Sequence, residues 1–557
     1  MDNNFDIQSI LESYDEISIE QKLSESMYVF LLYGKKFLFI APNTCNPASA
    51  PVILLCNDSG LDMPHIMLRE YSSSGKDWLP EGQYRYVCLY EQGSIVNTIV
   101  PYEEKVIDSI DRLIELLSMT ETEKLREYQK EFMFYWNTQA IEHPTIHVYL
   151  QHECSFSKMD MFWGTNEIRA IEQGLQLSDN DSRVKNQRVW VQHVETECYY
   201  IPIMDCREIV PPLRGKAWSA ESIKNIVYSR QIEHISSETF GCIRACKPKT
   251  QNVILIFGMK TIFSDVAFAV QIRANNVVSH TLLEKILNDI VVVEPICTRR
   301  KDYRYLCNQI GNDIGLIEKK ALIIGGGSLG SYIALELVKN GLSHLKIYDG
   351  DLLEDENVLR WAYGGFGISS PKARVLSLML ELLHPEIVVE HVDKNIDEKS
   401  LAAEVSGWDL IISTVGSSDE QLMFNRVLSA AHCSVPVIYV WLEAGGINSH
   451  ILVVDYRKPG CYECIYTDEN GILTNNKATK NDDELVETSL IRNGCGGTRA
   501  AYGTATILRT VAALLDVLQK IQRGEIANCL LIDISPTSIC ISDTKIPLEA
   551  CNCCGNK

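Results

Sequence analysis

Residues 321–341 read ALIIGGGSLGSYIALELVKNG, and their reading decides the fold. Ala321–Ile324 is a short apolar run, a buried strand by composition. Gly325-Gly326-Gly327-Ser328-Leu329-Gly330 follows at once as a GxGxxG. Ile333, Ala334, Leu337 and Val338 then recur at helical spacing, and Gly341 stops the helix. A strand, a glycine turn and a helix N-terminus bring backbone N–H donors and a positive dipole to one place, where phosphate can sit. The motif alone suits NAD, FAD or ATP, and also a glycine turn with no ligand.

Outward from this stretch the rhythm repeats. HLKIYD (344–349) is the next strand, and DLIISTVG (409–416) and VPVIYVWLEAG (435–445) are later ones. The alternation predicts a doubly wound α/β domain over 301–557. The second strand ends in Asp349-Gly350-Asp351, and an acidic residue there can hold ribose hydroxyls. Asn357, Arg360 and Lys372 follow. Taken singly, each reads as part of a solvated loop. Together, an amide and two cations suit a triphosphate, whose leaving pyrophosphate needs countercharge. An NAD-dependent oxidoreductase would use the glycines and Asp349 but leaves Arg360 and Lys372 unexplained.

This pattern resembles the ATP-binding domain of the MoeB/ThiF and ubiquitin-activating enzyme superfamily over about 305–557: G-x-G-G-x-G, D-x-D, N-x-x-R-Q, then a lysine. The resemblance implies ATP with Mg²⁺ as cofactors. Gly325, Gly327 and Gly330 would form the cradle and Asp349, with Asp351 in the same D-x-D, the ribose end. Asn357, Arg360 and Lys372 would meet the phosphates. Two positions depart from the family. Trp361 stands where the family has Gln, and the magnesium-binding Asp expected after the fourth strand is met only by a shifted Asp419. The family also completes its site with a partner subunit's arginine, which implies a homodimer. Arg299, Arg300 and Arg304 lie in the corresponding region. Tyr228-Ser229-Arg230-Gln231-Ile232 looks like the arginine motif but lies far upstream and reads as coincidence.

Cys461-Tyr462-Glu463-Cys464 and Cys551-Asn552-Cys553-Cys554 form two CxxC knuckles. Cys461, Cys464, Cys551 and Cys554 have the spacing of a structural zinc site, closed by four thiolates and therefore not catalytic. Cys553 is spare. Zn²⁺ would staple the C-terminal segment to the domain, as in many members of the superfamily. Cys495, in RNGCGGTRAAYG, lies among glycines before a helical stretch at 503–520, which favours exposure and a lowered thiol pKa. The resemblance implies that it carries a thioester; the alternative is an incidental loop cysteine.

Residues 1–142 read as a small sheet followed by helices. KKFLFIA (35–41), PVILLC (51–56) and YRYVCLY (84–90) are strand-like. A helix is predicted over 103–117, with Val106, Ile107, Ile110, Leu113, Ile114 and Leu117 on one face, and Thr120 and Glu123 have capping-box spacing before a second helix through 136. A cysteine in a strand is usually core. The arrangement around Cys88 nevertheless resembles a ubiquitin-conjugating enzyme fold of the prokaryotic type, which implies a catalytic thiol at Cys88. The HPN triplet of that family is replaced by Trp78-Leu79-Pro80, and His65 is the substitute candidate for its oxyanion-stabilising amide. Residues 143–300, with strands at 188–195, 198–204, 252–259 and 266–274 and a helical stretch at 218–232, read as an α+β linker domain.

The chain has 557 residues, 52 Lys plus Arg and 73 Asp plus Glu, a net charge of −21. That excess argues against nucleic acid or an anionic membrane as partner. The start, MDNNFDIQSI, has no signal-peptide pattern, and Arg509 and Asp516 interrupt the longest apolar run, so no membrane span is expected. Nineteen cysteines without a secretory signal point to a reducing, cytoplasmic setting. The order of domains resembles bacterial fusions of antiphage CBASS systems. It implies ATP-dependent activation of the C-terminal glycine of a protein partner, a cGAS-like nucleotidyltransferase or a ubiquitin-like protein. A thioester on Cys495 would pass to Cys88 and then to a target amine. A sulfur-carrier adenylyltransferase, which would not need 1–300, and a non-catalytic scaffold for a ubiquitin-like partner are the alternatives.

Overall fold

The computed structural model describes residues 6–555 except 44–45, 47, 58–59, 68–70, 73–78, 91–97, 141–143, 165–166, 176, 178–190, 193–194, 213–217, 230, 275–280, 312–314, 475, 477, 481–482, 493–497 and 542–550. The chain forms two compact units, Met1–Gln173 with Val191–Arg300, and Gly174–Trp190 with Lys301–Lys557. Among the described residues no helix is long and apolar enough to cross a membrane.

The first unit contains two sheets. One is antiparallel, in the order β1 (Ile17–Ser24), β2 (Met27–Leu32), β3 (Lys35–Ile40), β4 (Val52–Cys56), β6 (Gln83–Val87), β5 (Tyr71–Ser72). Its inward face (Tyr28, Phe30, Phe37, Phe39, Ile53, Leu55, Val87) packs on α1 (Ile7–Glu12) and α2 (Tyr102–Leu117). Helix α2 buries Val106, Ile110, Leu113 and Leu116, while Ile107, Ile114 and Leu117 lie at the margin. Each fully buried aliphatic side chain contributes about 2 kcal/mol. Thr120 and Glu123 close a reciprocal capping box on α3 (Glu121–Lys130). The helix expected through 136 is two helices, because Glu131 leaves helical geometry (φ −107, ψ 22) before α4 (Phe132–Gln139). The turn lets Phe132 and Trp136 enter the core of the second sheet, where the Trp136 ring lies 4.7 Å from the Phe268 ring, tilted by 51°.

That second sheet is mixed, in the order β14 (Ile290–Ile296), β13 (Asp265–Ala274), β12 (Asn252–Lys260), β11 (Glu197–Ile203), β8 (Ser157–Trp163), β9 (Ile168–Glu172), β7 (Ile146–Tyr149), β15 (Thr298–Arg300), with β10 (Val191–Gln192) beside β8. Helices α5 (Ala220–Val227) and α6 (Ser237–Ala245) pack on it through Ile223, Ile226 and Ile243.

The second unit is an eight-stranded sheet: β18 (Val388–Val392), β17 (His344–Tyr348), β16 (Lys320–Ile324), β19 (Leu410–Ser413), β20 (Val437–Leu442), β21 (Ser449–Val454), β24 (Leu530–Ile534), β25 (Ile539–Ile541). The first five are parallel and the last three antiparallel. A separate ribbon pairs β22 (Leu490–Arg492) with β23 (Thr498–Ala500). The central parallel strands β16, β19 and β20 are buried on both faces, as parallel strands between helices must be. One face packs on α7 (Tyr303–Gln309), α8 (Ser328–Lys339), α9 (Lys372–Glu381) and α12 (Thr504–Gln522), and the other on α10 (Glu398–Glu404) and α11 (Ser418–Ala430). Strand order reverses at β16, so β17 and β19 flank it, and their carboxyl ends open a crevice there.

Candidate functional site

The glycine loop fills the mouth of that crevice. Gly325 takes φ +99, which a side chain rarely adopts, and its N–H donates to the Tyr348 carbonyl at 2.8 Å. A Cβ on Gly330 would lie 1.9 Å from the Gly325 carbonyl oxygen, so this glycine seats α8 against the loop. A Cβ on Gly327 would meet nothing within 4 Å, because this residue faces the open cleft. Gly327 caps α8 without a side-chain hydrogen bond, which leaves first-turn N–H donors for an anion.

Asp349, at the end of β17, is buried and braces the loop. Its Oδ2 accepts from the Gly326 N–H at 2.7 Å and its Oδ1 from the Asp351 N–H at 2.9 Å. Burial pushes the Asp349 carboxyl above its ordinary value, against the pull of those donors and of Lys372. Lys372 opens α9 and pairs with Asp351 at 2.8 Å. Asn357 Oδ1 accepts from the Glu354 N–H at 3.1 Å. The Arg360 guanidinium lies 5.1 Å from the centre of the Tyr502 ring, and its Nε is buried without a hydrogen-bond partner. The structure brings Gly325, Gly327, Asp349, Asp351, Asn357, Arg360 and Lys372 around one cleft of about 500 Å³, with Gly330 behind it.

Three lining or supporting residues were not legible beforehand. Trp361, buried at 2% exposure, donates its indole N–H to the Gly326 carbonyl at 2.9 Å. A trans peptide is planar, so fixing that carbonyl turns the Gly327 N–H the opposite way, away from the indole. Glu420, not Asp419, is the α11 carboxylate lining the cleft; Asp419 is exposed. Tyr502 closes the wall near Arg360, and no local pattern marks it. Behind Trp441 and Leu442 of the wall, buried His450 lies between Asp533 (2.7 Å) and Glu443 (2.6 Å), and the Lys480 N–H donates to both Glu443 oxygens. Burial alone would lower the His450 pKa, but the bonds to Asp533 and Glu443 hold it above the ordinary value.

The sulfurs of Cys461, Cys464, Cys551 and Cys554 all lie within 4.8 Å of one another. Individual separations are 3.9 Å for Cys461–Cys464, 3.8 Å for Cys461–Cys551 and 3.4 Å for Cys464–Cys554. A tetrahedral four-thiolate site with bonds of about 2.3 Å needs sulfurs about 3.8 Å apart, so the set fits a metal ion. Asn425 donates to Cys461 Sγ at 3.7 Å and to Cys553 Sγ at 3.3 Å, and its Oδ1 accepts from Tyr456 and Tyr462. Cys553 thus lies against the set's polar neighbour.

Cys495 lies outside the described residues, in the segment 493–497 between paired Arg492 and Thr498. Cys88 sits just past the end of β6, half-buried in a cleft of about 760 Å³ that His65 also lines. Its N–H donates to the His65 carbonyl at 2.7 Å. Of the arginine candidates, Arg300 pairs with Glu153 at 3.1 Å and Arg304 with Glu318. Arg299 lies in β15; Tyr228 follows α5, and Arg230 is outside the described residues.

A glycine loop, an acidic strand end and converging cations at the switch point of a parallel sheet define a doubly wound α/β domain with an anion-receptive cleft. Residues 314–553 match the ThiF family, and the chain carries a ThiF-family domain there. It is 26% identical over 179 residues to the ATP-dependent ubiquitin transferase-like protein Cap2 of Pseudomonas aeruginosa, covering 31% of this chain and 32% of that one. The Vibrio cholerae protein of the same name is 26% identical over 225 residues, 38% and 37% of the two chains. The sulfur carrier protein ThiS adenylyltransferase of Escherichia coli is 24% identical over 155 residues, 28% of this chain and 60% of that one. The matches thus span about a third of each Cap2 relative. Among solved structures, Escherichia coli MccB with MccA aligns at 20% identity with a TM-score of 0.34, over 43% of this chain and 68% of that one.

Proposed function

We propose that this chain activates the C-terminal glycine carboxylate of a protein partner with ATP and conjugates it to an amine. The observation that carries the reading is the convergence of the glycine loop, Asp349, Asn357, Arg360 and Lys372 on one cleft. In this reading the first-turn N–H groups of α8 and the Gly327 N–H receive the phosphates. Arg360, whose buried Nε lacks a hydrogen-bond partner, and Lys372 offset charge on the leaving pyrophosphate. Asp349 and Asp351 hold the ribose end. Those two carboxylates are engaged by backbone N–H groups and by Lys372, so Glu420 is the residue proposed to hold Mg²⁺. The partner's carboxylate attacks the α-phosphate, giving an acyl-adenylate and pyrophosphate. Cys495 displaces AMP to give a thioester, and Cys88 takes the acyl group on. Cys461, Cys464, Cys551 and Cys554 hold a structural Zn²⁺ that fastens the C-terminal segment.

The division of labour proposed is a conjugating-enzyme-like domain over 1–142, a linker domain over 143–300 and the adenylation domain over 301–557, in a cytoplasmic homodimer. The partner proposed is a ubiquitin-like protein or a cGAS-like nucleotidyltransferase in antiphage defence; similarity to the ATP-dependent ubiquitin transferase-like proteins supports the ubiquitin-like class. Sulfur-carrier adenylation is the second reading, favoured by the ThiS adenylyltransferase match. ATP–pyrophosphate exchange with each candidate partner, intact and lacking its terminal glycine, tests the proposal. Exchange that ignores the glycine would refute it, and exchange with a sulfur-carrier protein but no thioester would select the second reading.

A further inference from the structure

His65 is held beside Cys88 more firmly than a surface histidine would be. Its backbone takes φ +63, in the left-handed region, a conformation that non-glycine residues rarely adopt and that collects at functional sites. Its N–H donates to the Tyr135 hydroxyl at 2.7 Å, and its carbonyl accepts from the Cys88 N–H at 2.7 Å. Its ring is only 16% exposed. Nε2 lies 3.1 Å from Glu127 Oε2, and Nδ1 lies 3.7 Å from Glu131 Oε1. A carboxylate only accepts, so the shorter contact places the proton on Nε2 and the lone pair on Nδ1. At 3.7 Å Glu131 makes no hydrogen bond to Nδ1.

We propose that His65 is the general base for acyl transfer from Cys88 to an amine, with Glu127 as the positioning residue that fixes its tautomer. The proposal rests on the reading of Cys88 as an acyl-bearing thiol. The amine nitrogen attacks the thioester carbonyl, a C–N bond forms, and the C–S bond breaks with its electron pair leaving on sulfur. The proton shed by the amine passes to His65 Nδ1 and then to the Cys88 thiolate, which restores neutral imidazole and thiol. No further reagent is consumed. The cleft also suits the acceptor. Glu115, Glu127 and Glu131 line it with Arg112 and Lys130, and an amine that arrives as an ammonium meets carboxylates and releases one proton to solvent before it can attack. This role differs from the oxyanion-stabilising one expected of His65, because the N–H of its ring is directed to Glu127.

The test uses the full chain and a small probe, the thioester of N-acetylglycine with 2-mercaptoethanesulfonate, to acylate Cys88. Peptide mass spectrometry follows the Cys88 acyl group before and after addition of free L-lysine. His65→Gly keeps the left-handed backbone and leaves a hole where the ring was. It is expected to load normally and to discharge to lysine about 100-fold more slowly, and added imidazole is expected to restore much of the rate. Glu127→Gln is expected to slow discharge with loading intact. Wild-type discharge in His65→Gly, or a loss that imidazole does not restore, would overturn the base assignment while leaving Cys88 as the acyl carrier. A wild-type chain whose Cys88 takes no acyl group would overturn the Cys88 reading, and the base with it.

Discussion

Two glycines of one loop should respond in opposite ways to the same added methyl group. In Gly330→Ala the new Cβ would lie 1.9 Å from the Gly325 carbonyl oxygen, 2.7 Å from Thr414 Oγ1 and 3.0 Å from the Gly325 carbonyl carbon. The first contact is at least about 1 Å inside any tolerated approach, and its partner is backbone that cannot swing aside. Gly325 is itself held by the bond from its N–H to Tyr348. Helix α8 must therefore shift. Overpacking of this kind costs about 3 kcal/mol, and alanine returns about 1 kcal/mol of helix propensity, so the net loss expected is about 2 kcal/mol. In Gly327→Ala the Cβ enters open cleft, and the stability change should stay below about 1 kcal/mol, the difference between Gly and Ala as a helix cap. That methyl instead stands where phosphate must approach, so KM for ATP in pyrophosphate exchange should rise while the fold is kept. Native-state hydrogen exchange of α8 amides in the full chain reads the first effect, and exchange kinetics read the second. An α8 as protected in Gly330→Ala as in the wild type would refute the seating of the helix on the loop carbonyl.

Arg360→Ala and Lys372→Ala should each remove most pyrophosphate exchange with the fold intact, a loss of about 3 kcal/mol in transition-state stabilisation; wild-type rates in both would place the triphosphate elsewhere. Metal analysis should find about one zinc per chain, with Cys551→Ser lowering both the metal content and the melting temperature, and a metal-free, fully stable protein would remove the site. Cys495→Ala should still form acyl-adenylate but load neither thiol, whereas Cys88→Ala should accumulate partner on Cys495 and make no conjugate; normal conjugation by Cys88→Ala on thiol-treated gels would show that Cys88 carries no acyl group. His450, with its native pKa raised, contributes stability that is complete below the ordinary histidine value and is lost as pH rises through the raised one. The melting temperature should therefore fall as pH rises through the raised value, above the ordinary histidine range, and His450→Gln should abolish that step while costing about 3–5 kcal/mol below it, since Glu443 and Asp533 lose their buried partner.

The repeated strand–helix rhythm around 321–341 was legible because parallel strands are buried on both faces and helices on one, which writes the fold into local periodicity. The capping box at Thr120 was legible for the same reason, since its hydrogen bonds span three residues. The break at Glu131 was not, because it answers to the distant core that takes Phe132 and Trp136. The boundary residues of α2 show the same limit: periodicity marked Ile107, Ile114 and Leu117, but the sheet beneath selected Leu116.

By itself the sequence determined the doubly wound domain, the glycine loop, the acidic strand end, the cations and the paired cysteines, all of which are short motifs whose chemistry depends on nearest neighbours. Only the tertiary structure decided which polar groups face the same space. Trp361 turns from a departure in the motif into a brace on the Gly326 peptide, Glu420 rather than Asp419 enters the cleft, and Tyr502 meets Arg360 across it. His65 gains Glu127 from α3 and Glu131 from the turn after it, some sixty residues later in the chain. Local pattern specifies a backbone and the face a side chain occupies. Pairing across a cleft depends on how whole elements pack, and that depends on the shape complementarity of cores that no short window of sequence contains.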